Sequence, residues 1–405
     1  MDRDLTRSDS DDKSTLLLQV TIYILFGLGP LTGNVILVLF GILSNEFGVV
    51  PTTVAIAIPA FMFPFAFIQL FSGAVSDLKG RIPVIIFGLI VFSIGMLIAM
   101  FSISLNLYVV ANILGGIGFG FVNPVLIALM TDLSKSTDIP KKMGFLGAVA
   151  NLGVGLGPIL AGQLVIISWR LLYLLFILIV IFSVINLLII RKENKTRTNR
   201  ATNTEFKTFL KNLGFELKRP VVILLVLTAS FASLSYLGVI TWTSQALTHS
   251  IPENLAGIII GLAGIFGTIS GITTGLLIKK IGVKIAIITG IISLFISLLI
   301  LMNTGDVASF EKLPLVSLGF IFSGIAGGTF IPTVMFYSQT LSLERRGTLA
   351  GLATTGQFVG TALVPIIYEP FFNQEGILLV YFIIVIVAIL LTIILGSLYL
   401  VSKRK

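Results

Sequence analysis

Apolar stretches dominate this chain, and short polar breaks punctuate them at intervals of roughly twenty to thirty residues. Twelve such runs can be read, at about 15–43, 51–76, 82–102, 105–131, 143–168, 171–190, 220–247, 254–278, 283–302, 313–340, 347–368 and 376–401. A helical bilayer crossing needs about 20 mostly apolar residues. Each run therefore predicts one membrane-spanning helix, spans one to twelve. The expected fold class is an all-α integral membrane protein with 12 transmembrane helices in two six-helix bundles.

The division in two comes from the one long hydrophilic stretch, 191–219. It separates a bundle at 15–190 from a bundle at 220–401, with tails at 1–14 and 402–405. Within it, Phe206, Phe209, Leu210 and Leu213 fall on one helical face flanked by Lys207, Lys211 and Lys218. That pattern predicts an amphipathic helix on the inner membrane surface, against the plainer reading of a tether.

Charge follows the same map. With the N-terminus placed inside, all of the 27 Lys and Arg except Arg170 and Lys312 fall on the inner side. Inner loops of membrane proteins carry this excess. The +9 net charge is thus a topology signal, with both termini cytoplasmic, and not a nucleic-acid footprint. Composition agrees: 56% of residues are hydrophobic and only 11% charged, against about 25% charged in soluble domains. The chain has no cysteine and one histidine, His249, read as a solvated outer-loop residue. Disulfides and thiolate metal sites are excluded, and no phosphate-binding G-x-x-x-x-G-K-[ST] loop is present. An enzyme is not expected, nor any cofactor or metal.

Two stretches carry finer signals. The first is GAVSDLKGR, Gly73 to Arg81, between spans two and three. Gly73 and Asp77 are four apart and share a helix face, as do Asp77 and Arg81. Gly80 permits the tight reversal. The bland reading is a hydrophilic hairpin. The sharper one is a latch in which Gly73 lets a neighbouring helix approach and Asp77 meets that helix's N-terminus. Gly73, Asp77 and Gly80 recur as Gly275, Lys279 and Gly282, at a constant offset of 202.

The second is glycine spacing. Span eight carries Gly257, Gly261, Gly264, Gly267, Gly271 and Gly275 in steps of three and four. Span five carries Gly147, Asn151, Gly155, Gly157, Pro158 and Gly162, and span eleven carries Gly347, Gly351, Gly356 and Gly360. Close helix packing explains such stripes in any membrane bundle. The added expectation is that these faces meet across the halves and slide.

The loop pattern Gly-x-x-x-Asp-x-x-Gly-Arg resembles the loop motif of the major facilitator superfamily of transporters. GAVANLGVGLGPILAG, Gly147 to Gly162, resembles the span-five motif of its 12-span drug/proton antiporter branch through Gly153, Gly157, Pro158 and Gly162. The resemblance implies that span five packs on eight and span two on eleven. It implies a half–half interface at Gly153, Gly157, Pro158, Gly162, Gly264, Gly271, Gly347 and Gly351. It implies a conformational latch of Gly73, Asp77, Gly80, Arg81 and Asp132, with Asp77 aimed at the start of span eleven. It also implies a cavity lined by spans one, four, seven and ten. The polar and aromatic candidates there are Asn34, Asn112, Asn123, Tyr236, Trp242, Gln245, Phe336, Tyr337 and Gln339, with Asn151 and Gln357 from spans five and eleven. For any one of these the alternative is an ordinary interhelical hydrogen bond, and Trp242 can equally sit in the outer aromatic belt.

One departure matters. The branch has an arginine in span four where this chain has Asn112, and none of the 18 acids falls mid-span. Buried ionisable groups are the usual proton relays, so proton coupling stays open. The expected function is alternating-access export of a small organic, drug-like solute. The alternatives are an uncoupled facilitator of a neutral solute and a non-transporting membrane sensor. Expected partners are the lipid bilayer, a small-molecule substrate and possible H+ coupling; no nucleic acid is expected, and the expected state is a monomer.

Overall fold

In lipid a backbone must satisfy its own hydrogen bonds, which favours long continuous helices. The computed structural model describes residues 2–135, 137–193, 214–248, 250–304, 310–342 and 346–403. His249 and the 194–213 part of the linker, with its amphipathic pattern, lie outside the described residues. Twelve helices are long and apolar enough to cross a membrane: Leu16–Asn34, Pro51–Lys79, Arg81–Met100, Leu105–Asp132, Lys142–Leu164, Arg170–Ile189, Pro220–Leu247, Glu253–Ile281, Val283–Thr304, Phe310–Thr340, Gly347–Glu375 and Ile377–Lys403. They are spans one to twelve below.

Span one is broken where one continuous helix was expected. Its helix runs back to Asp2, and it breaks at Val35 before a second helix, Ile36–Phe47. Pro30 lies inside the first segment and removes one donor from the ladder. The Asn34 amide donates to the Pro30 carbonyl at 2.7 Å, and Val38 closes a tight turn onto Val35.

The two halves repeat one packing scheme. In the first half, span one packs on five and six, two on four, and three on four and six. In the second, span seven packs on eleven and twelve, eight on ten, and nine on ten and twelve. Glycine permits the closest approaches at matching places. Gly116 of span four lies against the Phe61 carbonyl of span two, and Gly324 of span ten lies against the Ala263 carbonyl of span eight. The turns match as well: Gly80 has φ 92° and ψ 148°, and Gly282 has φ 99° and ψ 161°. Only glycine adopts that region readily.

The interiors are joined differently. In the second half hydroxyls bridge helices: Ser270 to Thr329 at 2.9 Å, Ser323 to the Tyr236 carbonyl at 2.9 Å, and Ser230 to the Gly356 carbonyl at 2.8 Å. The first half relies on an aromatic cluster of Phe47, Tyr108, Trp169 and Tyr173, with the two tyrosine hydroxyls 2.5 Å apart. The two basic exceptions to the charge map are both engaged. Arg170 bonds Glu46 at 2.7 Å and stacks over Trp169, while Lys312 donates to the Thr304 carbonyl at 2.6 Å.

Candidate functional site: the interface between the halves and its loop cluster

The loop between spans two and three is built around Arg81. Its guanidinium pairs with Asp77 one helical turn back, donates to Ser76 Oγ at 2.6 Å, and reaches Asp132 at the end of span four at 3.0 Å. Gly80 supplies the reversal that aims Arg81 back over span two, and its N–H donates to the Ser76 carbonyl at 2.9 Å. The cluster ties three helix ends of one half together. Asp77 and Asp132 are about half exposed, at 44% and 54%, so each pair contributes only ~0.2–1 kcal/mol.

Span eleven is not docked on this cluster. An added Cβ would meet nothing within 4 Å at Gly73, nor at Gly347 or Gly351. Among the described residues no contact of Asp77 with span eleven is seen, and the side chains at the start of span eleven, 343–346, lie outside the described residues. Toward the end of the bundle carrying the termini, the glycine faces of spans five and eight part, while Leu70 and Phe71 of span two still pack on the cluster of Leu349 and Leu352. Gly144 and Gly147 of span five and Gly275 of span eight are equally free of neighbours.

At the other end the halves are in close contact. Gly162 of span five lies against the backbone of Glu253, Asn254 and Gly257. Gln163 donates to the Asn254 carbonyl at 3.4 Å, and Glu369 of span eleven faces Thr52 of span two. Midway, Gly155 and Gly264 meet backbone to backbone, Pro158 lies on Gly257, and Asn151 reaches Gly271. Spans two and eleven meet through Phe65 and Phe358, edge to face at 4.5 Å.

Four of the expected interface positions, Pro158, Gly162, Gly264 and Gly271, thus lie where span five meets span eight. Gly153 and Gly157 do not: they face Gly27 and Leu31 of span one, within their own half. Gly356 and Gly360 do the same against Val226 and Ser230 of span seven. In an i, i+4 series every glycine lies on one face, but Gly153 and Gly157 are offset by two residues from Gly155, which is a rotation of about 200°. The tightest crossing uses Gly155, Gly257, Gly261 and Gly264. Spacing placed them on shared faces, but the motif resemblance passed over the first three.

The cavity candidates divide. Asn112 donates to the Tyr108 carbonyl at 2.8 Å and lines a void of about 20 Å³ with Thr32, Met62 and Tyr173, room for one water. Asn34, Asn123, Asn151, Phe336 and Gln357 are half-buried, and Gln339 is exposed. Tyr236, Trp242 and Tyr337 are instead sealed inside the second half. Tyr236 packs on Gly327, Trp242 lies 4.8 Å from Phe372, and Tyr337 sits in a cluster with Val221, Leu225 and Leu398. These three line no open wall here, because each large ring is packed among side chains of its own half. Among the described residues no group of acids or histidines could hold a metal ion.

Twelve spans in two repeated sets of six, meeting through spans five and eight and spans two and eleven, define a two-bundle transporter fold. The chain matches the family model "Major Facilitator Superfamily" over residues 22–365 and 248–405, and it belongs to that superfamily. It is a multi-pass membrane transporter, not an enzyme. Among curated proteins it is similar to the quinolone resistance protein NorA of Staphylococcus aureus, 23% identical over 364 residues, covering 89% of this chain and 90% of that protein. It is also similar to multidrug resistance protein 2 of Bacillus subtilis, 24% identical over 332 residues, covering 78% and 80%. Among solved structures, that of a point mutant of the nucleoside transporter NupG superposes with a TM-score of 0.73 at 14% identity, over 94% of this chain and all of the other. That likeness supports the shared fold.

Proposed function

We propose that this chain exports small organic, drug-like solutes by alternating access, and that the conformation described is the one open toward the cytoplasm. One observation carries the mechanism: spans five and eight touch at one end and part at the other, across glycine faces able to slide. The positive loops support a cytoplasmic side for the parted end and both termini. The names of the relatives, resistance proteins for quinolones and for multiple drugs, support the drug-like solute class and the outward direction. In the opposite state the parted faces close, Gly73 and Gly351 become contact points, and Asp77 reaches the positive start of span eleven.

The test uses ethidium and norfloxacin as probes in a host lacking its own efflux pumps. Expression is expected to lower the accumulation of at least one, and everted vesicles are expected to take it up. No change with either probe would overturn the export reading.

A second reading, transport without proton coupling, is favoured by the placement of acids. Among the described residues Asp77 and Asp132 lie at the cytoplasmic rim, and Glu46 and Glu369 lie toward the other end. Substrate counterflow in proteoliposomes loaded with a pH-sensitive dye separates the two. Proton movement during counterflow supports antiport, and its absence supports the facilitator.

A further inference from the structure

Span seven ends, on the sealed side, in a run of buried polar residues. Most are satisfied. Thr243 meets the Tyr381 hydroxyl at 2.8 Å, Ser244 donates to the Ile240 carbonyl at 2.6 Å, and Thr248 donates to the Ser244 carbonyl at 3.1 Å. Gln245 is not. Its side chain is 1% exposed, and neither Nε2 nor Oε1 has a hydrogen-bond partner. One turn earlier Trp242 is wholly buried, and its Nε1 is also unpartnered. Buried polar atoms are nearly always paired, and each exception calls for an explanation.

Direction supplies one. Successive helical residues turn by about 100°. Gly238 and Trp242 face span eleven through Tyr368 and Phe372, and Thr243 faces span twelve through Tyr381. On another side the Thr248 carbonyl lies 4.0 Å from the Cβ position of Gly41, on helix Ile36–Phe47 of the first half. Gln245 falls between the span-eleven direction and the Gly41 direction. Its carboxamide therefore sits at the seam between span eleven and the first half, and that seam must part when the outer end opens.

We propose that Gln245 and Trp242 form an exit site that exists only in the outward-open state, binding a flat solute that carries a carbonyl or amide edge. Gln245 Nε2 and Trp242 Nε1 supply donors, Gln245 Oε1 an acceptor, and the indole a flat wall. No protein group satisfies these atoms in the sealed arrangement. The inference rests on the alternating-access reading above and deepens it.

The chain contains no cysteine, so Gln245→Cys gives a single reporter thiol. In intact cells a membrane-impermeant maleimide is expected to label it from outside, and external ethidium or norfloxacin is expected to slow that labelling. The near-isosteric Gln245→Leu removes the unpaired atoms without opening a cavity. In everted vesicles its effect on the cytoplasmic-side KM for ethidium is expected to be smaller than its effect on the lumenal side. The lumenal ethidium needed to half-inhibit uptake is expected to rise about tenfold. The proposal is overturned by absence of external labelling, by labelling that neither probe slows, or by a KM that shifts together with the lumenal inhibition. The last result would put Gln245 in the central cavity. If the wild type moves neither probe, the export reading fails on its own, and the exit site falls with it unless a probe still slows the labelling.

Discussion

At Gly80 and Gly282 the backbone combines positive φ with extended ψ, a region that costs a side-chain-bearing residue ~1–3 kcal/mol. Gly80→Ala is accordingly expected to lower the melting temperature of the purified protein. Gly73 is a different kind of glycine. It is helical, and a Cβ there meets nothing within 4 Å. Gly73→Ala is therefore expected to leave the melting temperature unchanged and to slow ethidium efflux, because its face is needed only when the cytoplasmic end closes. Equal loss of stability in both variants would count against that role. The use of glycine at 80 was legible in the sequence, because a short polar break between two long antiparallel helices needs a tight reversal that glycine permits. The neighbour of each helical glycine was not. Gly153 and Gly155 look alike in the sequence, yet one packs on span one and the other on span eight.

Elements come next. The Arg81 cluster joins the end of span two, the start of span three and the end of span four. Among the described residues its partners all belong to the first half. Asp77→Asn removes the ion pair with Arg81 but keeps the side-chain shape, and the Asp132 and Ser76 contacts of Arg81 remain. Transport is expected to fall several-fold, with ethidium binding to purified protein retained. Full transport by this variant would remove Asp77 from any latch. The acid, the base and their helical spacing were all visible in the chain. That Arg81 would also take Ser76 and Asp132 depends on where span four ends, which the span-two motif cannot encode.

For the whole molecule, the decisive feature is that spans five and eight are in contact at one end and part at the other, while spans two and eleven stay packed through Phe65, Leu70 and Phe71. Spans five and eight meet from Gly162 to Gly271 and then diverge, leaving Gly147 and Gly275 without neighbours. Paired cysteines in the cysteine-free chain test this directly. Gln163→Cys with Asn254→Cys is expected to cross-link readily in the resting protein. Gly147→Cys with Gly275→Cys is expected to cross-link slowly and, once joined, to stop efflux. Rapid cross-linking of the second pair and none of the first would mean that the resting protein is closed toward the cytoplasm instead.

The sequence by itself determined the twelve spans, the six-plus-six repeat and the turn glycines. These follow from local quantities: the transfer free energy of apolar runs, the positive bias of one set of loops and the φ/ψ freedom of single residues. Tertiary structure alone decided which glycine faces which helix, which end of the bundle is shut, and that Gln245 and Trp242 are sealed without partners. Those outcomes depend on how each helix is rotated against several others at once. They depend also on the choice between two arrangements of the same halves, and a linear pattern of residues holds the information for both.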